Sequence, residues 1–351
     1  MAHALNLPAL LAALYRHGGY DDVSLHDLVP LAGTGIAHDH VRIAGTRHLL
    51  RLPRLSQFGL TPHDNLIYQA ACFERAAASG HAPRLHGVLP PAGDMPMGGL
   101  IVDYIDGRPV RLDTDMPAIA ECLAALHCLP VPVMAARAPL ASHDDPVAAT
   151  MSVIRRQASD LGDAGVSRQA QAHLTSELAW ASRFAETCAG KQQPVTLVAT
   201  DTHPGNYVMH SDVPQGDVSQ GDSQAFIVDL EKALYGAPAI DLAHATLYTS
   251  TTWAGGPNAF LSTDQTQQFY RHYMTRLPAG LARAIRPWCL PLRRLTWLRT
   301  TTWAASWSVR RAADDPAATP DALAQVADFL SAPRIAAIRS EWLEDRLADL
   351  V

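Results

Sequence analysis

The sequence has few lysines, few cysteines and no long apolar segment, and each scarcity excludes a class of protein. Only two of its 28 basic residues, Lys191 and Lys232, are lysines, and its 34 acidic residues leave a net charge of −6. A chain of this charge has no basic field with which to attract nucleic acid or an anionic membrane. No segment approaches the ~20 apolar residues that span a bilayer. We therefore expect neither a nucleic-acid partner nor a membrane partner.

The cysteines give no sign of a metal site or of a disulfide framework. There are five of them, an odd number, and none stands in the paired spacing of a structural zinc site. We expect buried thiols in helices. The cysteines are Cys72, Cys122, Cys128, Cys188 and Cys289.

The N-terminus lacks the basic region of a secretory signal. Residues 6–15 instead predict a short amphipathic helix, with Pro8 in its first turn and Gly18-Gly19 at its end. These features predict a cytoplasmic protein. The length of 351 residues and the hydrophobic fraction of 48% are sufficient for one large or two medium domains.

Short apolar segments near the N-terminus predict an antiparallel sheet with one helix. Residues 28–31, 40–43 and 48–52 predict three short strands, with Gly33-Thr34-Gly35 after the first and Gly45-Thr46 before the third. Thr61-Pro62 then supplies a capping hydroxyl and a proline at the first helical position, which predicts a helix up to Ser79-Gly80. A further hairpin ends in the apolar strand at residues 100–102.

The segment Asp106-Gly107-Arg108-Pro109 breaks this strand and predicts a hinge between two lobes. Beyond it the chain is mostly helical, except for two short strands at residues 196–198 and 225–228. The polar, glycine-rich residues 215–223 predict a mobile hairpin tip between them. We therefore expect an α+β fold with an N-lobe at residues 1–105 and a larger, mainly helical C-lobe at residues 106–351.

The strongest chemical signal is Asp201-Thr202-His203-Pro204-Gly205-Asn206, followed by Asp229-Leu230-Glu231 at the end of an apolar strand. Phosphoryl transfer requires a carboxylate that orients the acceptor hydroxyl and oxygen ligands that hold magnesium against the phosphates. Two aspartates and an asparagine on adjacent loops supply this set. A D-x-x-x-x-N spacing alone is common by chance, but its combination with the Pro-Gly turn, the second aspartate and the order of elements is specific.

These motifs resemble the catalytic and metal-binding loops of the aminoglycoside phosphotransferase and choline/thiamine kinase-like superfamily. The resemblance extends to residues 236–243, a Pro and DLA-type helix start, and to residues 100–109, which are similar to the family's hinge. It covers roughly residues 25–250. The resemblance implies a bilobal protein-kinase-like fold and a kinase that transfers phosphate from ATP or GTP, with Mg²⁺, to a small-molecule hydroxyl.

Carried over by position, the resemblance makes Asp201 the catalytic carboxylate and makes Asn206 and Asp229 the magnesium ligands. Asp241 is implied to brace the catalytic loop, although it could equally be a plain helix N-cap. Arg51 falls at the strand cation that contacts the α- and β-phosphates. Gly33 and Gly35 fall in the loop over those phosphates, where an ordinary turn is the simpler interpretation.

Three positions depart from the family pattern. Ala199 stands where a bracing histidine is usual, and Arg51 stands where many relatives have lysine. Gln69 stands where the helical glutamate that pairs with that cation is expected; it could still accept a hydrogen bond from Arg51, with less hold than a carboxylate. The alternative function is therefore a nucleotide-binding pseudokinase or scaffold with a degenerate active site.

The acceptor stays open on the sequence, among choline-like amines, thiamine, sugars and aminoglycosides, as does the oligomeric state. Trp297, Trp303 and Trp307 could cage a quaternary ammonium group, although packing is the usual role of such residues. The C-terminal arginines predict a solvated helix face, with an anionic-substrate site as the alternative. An aminoglycoside would require clustered acids, for which the candidates are Asp113, Asp115, Asp144 and Asp145.

Overall fold

The N-terminal part of the chain builds a five-stranded antiparallel sheet in the order β1-β2-β3-β5-β4. A computed structural model describes residues 5–31, 37–211, 223–253, 257–312, 315 and 318–351. The strands are β1 (Leu28–Pro30), β2 (His38–Ile43), β3 (His48–Pro53), β4 (Leu85–Leu89) and β5 (Gly99–Asp103). Alternation along β5 divides the sheet between two cores, because Leu100 and Val102 face one side and Ile101 faces the other.

A helix covers each face of this sheet. Helix α1 (Leu7–His17) begins at Asn6, whose side chain accepts the Ala9 N–H, and it buries Leu10 and Leu14 against one face. Helix α2 (Pro62–Ala77) begins at Thr61, whose hydroxyl accepts the Asp64 N–H, and packs on β4 and β5. The Thr61 cap and a proline in the first turn of each helix were predicted, whereas the Asn6 cap was not. The N-lobe therefore combines α1, predicted at residues 6–15, with the single helix that was expected to accompany the sheet.

The remainder is mainly helical, as predicted, and encloses two small two-stranded sheets. The helices are α3 (Met116–His127), α4 (Pro146–Ala158), α5 (Arg168–Cys188), α6 (Pro238–Thr246), α7 (Tyr248–Thr251), α8 (Thr263–Arg276), α9 (Ala279–Ile285), α10 (Cys289–Arg310), α11 (Pro320–Phe329) and α12 (Ala332–Leu343). The strands are β6 (Thr196–Val198), β7 (Tyr207–His210), β8 (Gln224–Ile227) and β9 (Leu234–Gly236). Antiparallel pairs β6–β9 and β7–β8 hold the residues of the predicted catalytic motif.

The predicted hinge is hydrogen-bonded to the catalytic hairpin. Arg108 and Met209 exchange both backbone hydrogen bonds, at 3.0 and 2.9 Å. Gly107 is required there, since a Cβ at this position would lie 2.4 Å from the Met209 carbonyl oxygen. The segment that follows the five-stranded sheet is therefore hydrogen-bonded directly to β7.

The predictions for the glycine-rich segments, the cysteines and membrane-spanning helices have different outcomes. Residues 212–222 and 32–36 lie outside the described residues, so the predicted hairpin tip and both Gly33 and Gly35 are not placed. Four cysteines are buried helical thiols, as expected, but Cys128 is exposed because it follows the last turn of α3. None of the helices in the described residues combines the length and apolar character needed to cross a membrane.

Candidate active site

The catalytic loop leaves β6 at Val198 and is held by one buried carboxylate. Asp241, in the first turn of α6, accepts the Ala199 N–H at 2.7 Å and the Thr200 N–H at 2.8 Å. Thr200 has a φ of +63°, a left-handed conformation that these contacts maintain. Asp241 therefore braces the loop, as the resemblance implied. The N-cap alternative is wrong, because Ala237 occupies that position.

An imidazole reaches this carboxylate from another helix. His127 at the end of α3 lies 3.2 Å from Asp241 through its Nε2 atom, and its Nδ1 atom lies 2.8 Å from the Tyr273 hydroxyl. All three side chains are buried. The bracing histidine that is missing at position 199 thus has a counterpart on α3.

Asp201 is a charged carboxylate with a lysine partner. The Lys232 Nζ atom lies 2.7 Å from Asp201 Oδ2, and the Nε2 atom of His244 on α6 lies 3.9 Å from Oδ1. Burial acts to raise the pKa of Asp201, but the charge of Lys232 and its hydrogen bond, together with interactions with His203 and His244, outweigh burial and hold the pKa well below its usual range. Asp201 is therefore ionised at physiological pH.

The β7–β8 pair brings Asn206 next to Asp229. Asn206 immediately precedes β7, and its carbonyl oxygen accepts the Val228 N–H at 2.9 Å, one residue before Asp229. Its amide nitrogen donates to the Asp201 carbonyl oxygen at 2.8 Å, which leaves the amide oxygen as the free end. The strand pairing therefore joins an amide oxygen and a carboxylate, both of which suit a hard divalent cation.

Arg51 on β3 extends from the sheet to the catalytic hairpin. Its guanidinium pairs with Asp229 and donates to His40 Nε2 and His38 Nδ1, both at 3.2 Å. Burial and the Arg51 charge lower the pKa of His38 to about 3 and that of His40 to about 4, so both rings are neutral acceptors. The cation that was predicted to contact the phosphates is thus held in place by two histidines and an aspartate.

Gln69 takes part in this network through His38 rather than by direct contact with Arg51. The His38 Nε2 atom lies 3.1 Å from Gln69 Oε1 and 3.3 Å from a Glu231 oxygen. Because Arg51 donates to the Nδ1 atom of His38, the Nε2 atom carries the hydrogen and donates a hydrogen bond to the Gln69 amide oxygen. The predicted direct bond from Arg51 to Gln69 is therefore wrong, since the imidazole lies between the two side chains.

His38, Asp229 and Glu231 form a cluster whose possible ligand atoms all lie within 4.8 Å of one another. Burial, and then the charge of Asp229, raise the pKa of Glu231 to about 7. Mg²⁺ prefers oxygen ligands to imidazole nitrogen. The oxygen atoms of Asp229 and Asn206 therefore fit magnesium better than this histidine-containing cluster does.

The structure brings five of the predicted site residues into one connected site. These are Asp201, Asn206, Asp229, Arg51 and Gln69. Sequence reasoning did not identify the partners of these residues and of Asp241. The partners are His38, His40, His127, Lys232 and His244. The alternation His38-x-His40 was a usable signal, since His40 lies opposite Arg51 in the β2–β3 register.

The tryptophans mostly serve packing, as the simpler interpretation predicted. Trp297 is fully buried and lies 5.3 Å from Trp342 between ring centroids. Trp303 is half-buried, with its ring 5.5 Å from that of Trp253 and 6.1 Å from that of Trp307. The rings of Trp253, Trp303 and Trp307 are therefore partly exposed, whereas that of Trp297 is not.

Comparison with known proteins agrees with this geometry. The sequence pattern of the phosphotransferase enzyme family matches residues 33–277, more than half of the chain. No curated protein matches the chain in sequence.

Several solved structures share the fold. A choline/ethanolamine kinase family protein from Mesorhizobium loti has a TM-score of 0.62 at 17% identity and covers 97% of each chain. The GDP complex of aminoglycoside 2'-phosphotransferase-IIIa has a TM-score of 0.62 at 16% identity, covering 95% of this chain and 99% of that one. A Plasmodium vivax ethanolamine kinase has a TM-score of 0.57 at 13% identity, covering 91% and 86%.

At these identities the structural likeness establishes the fold, and the family match establishes the chemistry. The predicted bilobal protein-kinase-like fold is confirmed, and so is the predicted phosphotransferase with an alcohol group as acceptor. This chain belongs to the phosphotransferase enzyme family of small-molecule kinases.

Proposed function

We propose that this chain transfers the γ-phosphoryl group of ATP or GTP to the hydroxyl of a small molecule, with Asp201 as the catalytic carboxylate. One observation carries the proposal. The charged Asp201 lies beside the Lys232 ammonium, and its own backbone carbonyl is bonded to Asn206, which adjoins Asp229 across the hairpin. The orienting carboxylate and the oxygen ligands that phosphoryl transfer requires thus lie together.

In this mechanism the acceptor hydroxyl donates a hydrogen bond to Asp201. The acceptor oxygen forms its bond to the γ-phosphorus as the bond from that phosphorus to the β–γ bridging oxygen breaks. The hydroxyl proton passes to Asp201, and the nucleoside diphosphate leaves. Lys232 keeps Asp201 ionised before transfer, and its positive charge offsets the negative charge on the phosphoryl oxygens.

The donor set of Asn206 and Asp229 fits Mg²⁺, because one free amide oxygen and one carboxylate leave the remaining positions to water and phosphate oxygens. When bound, Mg²⁺ would neutralise charge on the β- and γ-phosphates. Asn206 and Asp229 are the residues that would hold it.

Arg51 would contact the α- and β-phosphates. Its guanidinium has separate nitrogen atoms for separate partners, which suits bidentate contact with a phosphate. Gln69 orients His38, and His38 orients the guanidinium. Gly33 and Gly35 belong to this proposal as the loop over the phosphates. We also propose that the lobes divide at residues 105 and 106, so that the nucleotide binds between them.

The test is ADP release from purified protein with Mg·ATP and a panel of small alcohols, with Asp201→Ala alongside. We expect acceptor-dependent ADP release that Asp201→Ala abolishes while binding of Mg·ATP, measured by thermal shift, is kept. Wild-type turnover by Asp201→Ala would refute the assignment of this residue. Mg-dependent stabilisation by ATP without turnover on any acceptor would favour the pseudokinase alternative.

A further inference from the structure

Helix α10 carries four arginines and Arg311 follows its last residue; four of these five arginines have a partner within the chain. Three pair with carboxylates, and the Arg311 guanidinium lies 5.6 Å from the ring centroid of Trp307. The carboxylate pairs are Arg293 with Glu341, Arg294 with Glu177, and Arg310 with Asp160. The solvated-face interpretation of these arginines is therefore wrong for most of the helix, since their charges are matched by acids of neighbouring helices.

Arg299 is the exception. In the described parts of the chain its guanidinium makes no hydrogen bond and no ion pair. Helix α10 packs on α6, the helix that carries Asp241 and His244, and Arg293 of α10 donates to the Thr246 hydroxyl at 2.7 Å. The carboxylates of Asp201 and Asp241 act on the Arg299 charge from this side of α10. Burial lowers the pKa of Arg299, and the two carboxylates act in the opposite direction. A partly buried cation without a hydrogen-bonded acid is costly to keep, which points to a ligand that completes it.

Two histidines join Asp201 and Asp241 among the groups that interact with Arg299. His143, in the segment before α4, and His244 both interact electrostatically with Arg299. The Nδ1 atom of His244 is buried and has no hydrogen-bond partner in the structure. This side of Asp201 therefore offers a cation and an unpartnered imidazole nitrogen to an acceptor.

Three of the four acids that were candidates for binding a cationic acceptor have partners within the chain, and the fourth, Asp113, is exposed. Arg108 holds Asp115 through two hydrogen bonds of 2.6 and 2.8 Å. Asp144 pairs with Arg137 at 3.1 Å, and Asp145 accepts the Ala148 N–H at 2.9 Å to cap α4. These acidic side chains stabilise the fold and are not free to bind an aminoglycoside.

An aromatic cage for a quaternary ammonium group is also unfavourable here. Trp303 follows Arg299 by four residues and so lies on the same face of α10, about one turn away. Its ring packs edge-on against Trp253. A positively charged acceptor beside these rings would be repelled by the guanidinium, whereas the rings can pack against the carbon skeleton of an anionic acceptor.

We propose that Arg299 binds an anionic group of the acceptor, with His244 as a second hydrogen-bond donor. The inference rests on the kinase function proposed above. The acceptor is then a small alcohol that also carries a carboxylate or a phosphate. Its hydroxyl lies at Asp201 and its anion at Arg299, so the two charges of the protein orient the two ends of the molecule.

A competing role for Arg299 is contact with the transferred phosphoryl group itself. The two roles differ in what they discriminate. A contact with the phosphoryl group would accelerate transfer to every acceptor equally. A contact with the acceptor anion would act only on acceptors that carry one, and would appear mainly in KM.

The experiment compares matched acceptors with Mg·ATP. The carboxylate arm pairs glycerate with glyceramide, the phosphate arm pairs glycerol 3-phosphate with glycerol, and the cationic arm uses ethanolamine, choline and kanamycin. Variants are Arg299→Gln, Arg299→Lys and the control Arg310→Gln, which removes the same charge about 16 Å further along the same helix. Binding of each acceptor is measured in parallel by thermal shift in the presence of a non-hydrolysable ATP analogue.

We expect one anionic acceptor to exceed its neutral partner by about 10- to 100-fold in kcat/KM, the range of a charge-assisted hydrogen bond. Arg299→Gln should remove that preference through KM, Arg299→Lys should keep part of it, and Arg310→Gln should keep all of it. Arg299→Gln should also leave the unfolding temperature unchanged or higher, because it removes a partly buried cation that has no hydrogen-bonded acid.

A preference for the neutral or cationic compounds, or equal loss by Arg299→Gln on both members of a pair, would overturn the inference. If no acceptor is phosphorylated, the kinase proposal fails separately, and the binding assay decides the inference. Stabilisation by glycerate or glycerol 3-phosphate that Arg299→Gln abolishes would then support the anion site, and absence of stabilisation would refute it.

Discussion

Replacement of Asp241 by asparagine tests how the catalytic loop is held. The buried carboxylate accepts two N–H bonds at 2.7 and 2.8 Å and contacts His127 at 3.2 Å. Asparagine has only one oxygen for the two backbone N–H groups, so its NH₂ group faces the second N–H, which loses its acceptor. Loss of one charge-assisted bond costs about 1.5–3 kcal/mol, and a buried N–H without an acceptor costs about 1–3 kcal/mol. We therefore expect Asp241→Asn to lower the free energy of unfolding by about 3–5 kcal/mol.

Urea unfolding measures this change, with Asp264→Asn as the control. Asp264 is exposed in the first turn of α8, so its replacement should change the free energy of unfolding by about 0.5 kcal/mol or less. Because Thr200 holds a left-handed conformation next to Asp201, Asp241→Asn should also lower kcat. A loss below about 1 kcal/mol with wild-type kcat would show that the loop does not depend on this carboxylate.

Three further predictions follow from the charges of the site. Lys232→Met should lower kcat about 100-fold or more, as expected when a group that stabilises developing charge is removed. Lys191→Met, in the exposed segment after α5, should keep wild-type kcat. Burial lowers the pKa of His244 to about 3, so the unfolded chain takes up this proton near pH 6.5 and the folded chain does not. The free energy of unfolding should therefore fall as the pH drops from about 6.5 towards 3. In urea unfolding, His244→Gln should make the decrease in this free energy between about pH 7.5 and pH 5 smaller by about 2 kcal/mol. Arg51→Lys should raise KM for ATP about 10-fold, because one ammonium cannot reach the separate partners of the guanidinium, while the exposed Arg47→Lys should leave KM unchanged.

The local elements of this fold were predictable because their signals are local. Thr61-Pro62 starts α2 through the hydroxyl and the proline that the sequence displays. The apolar strand before Asp229 and the turn at Pro204-Gly205 are likewise written in a few consecutive residues. Asp201, Asn206 and Asp229 could therefore be assigned to one site before their positions were known.

The partners of these residues could not be predicted, because each comes from a distant part of the chain. His127 reaches Asp241 from α3, 114 residues away, and Arg51 reaches Asp229 across 178 residues. Lys232 is close to Asp229 in sequence, yet its ion pair is with Asp201 on the other loop. Such contacts depend on how the helices and hairpins pack, and no short spacing in the sequence specifies them.

Two departures from the family pattern have a physical counterpart in the structure. Ala199 removes the usual histidine, and His127 contacts the same bracing carboxylate from α3. Gln69 removes the usual glutamate, and a neutral His38 fills the distance between its amide and Arg51. A site that had only lost its function would retain the gaps left by these two substitutions, with Arg51 unpaired and the loop unbraced. Here the loop carbonyl and amide groups are bonded, Arg51 is paired and Asp201 is charged, so the substitutions are compensated and the arrangement favours a working kinase over a pseudokinase.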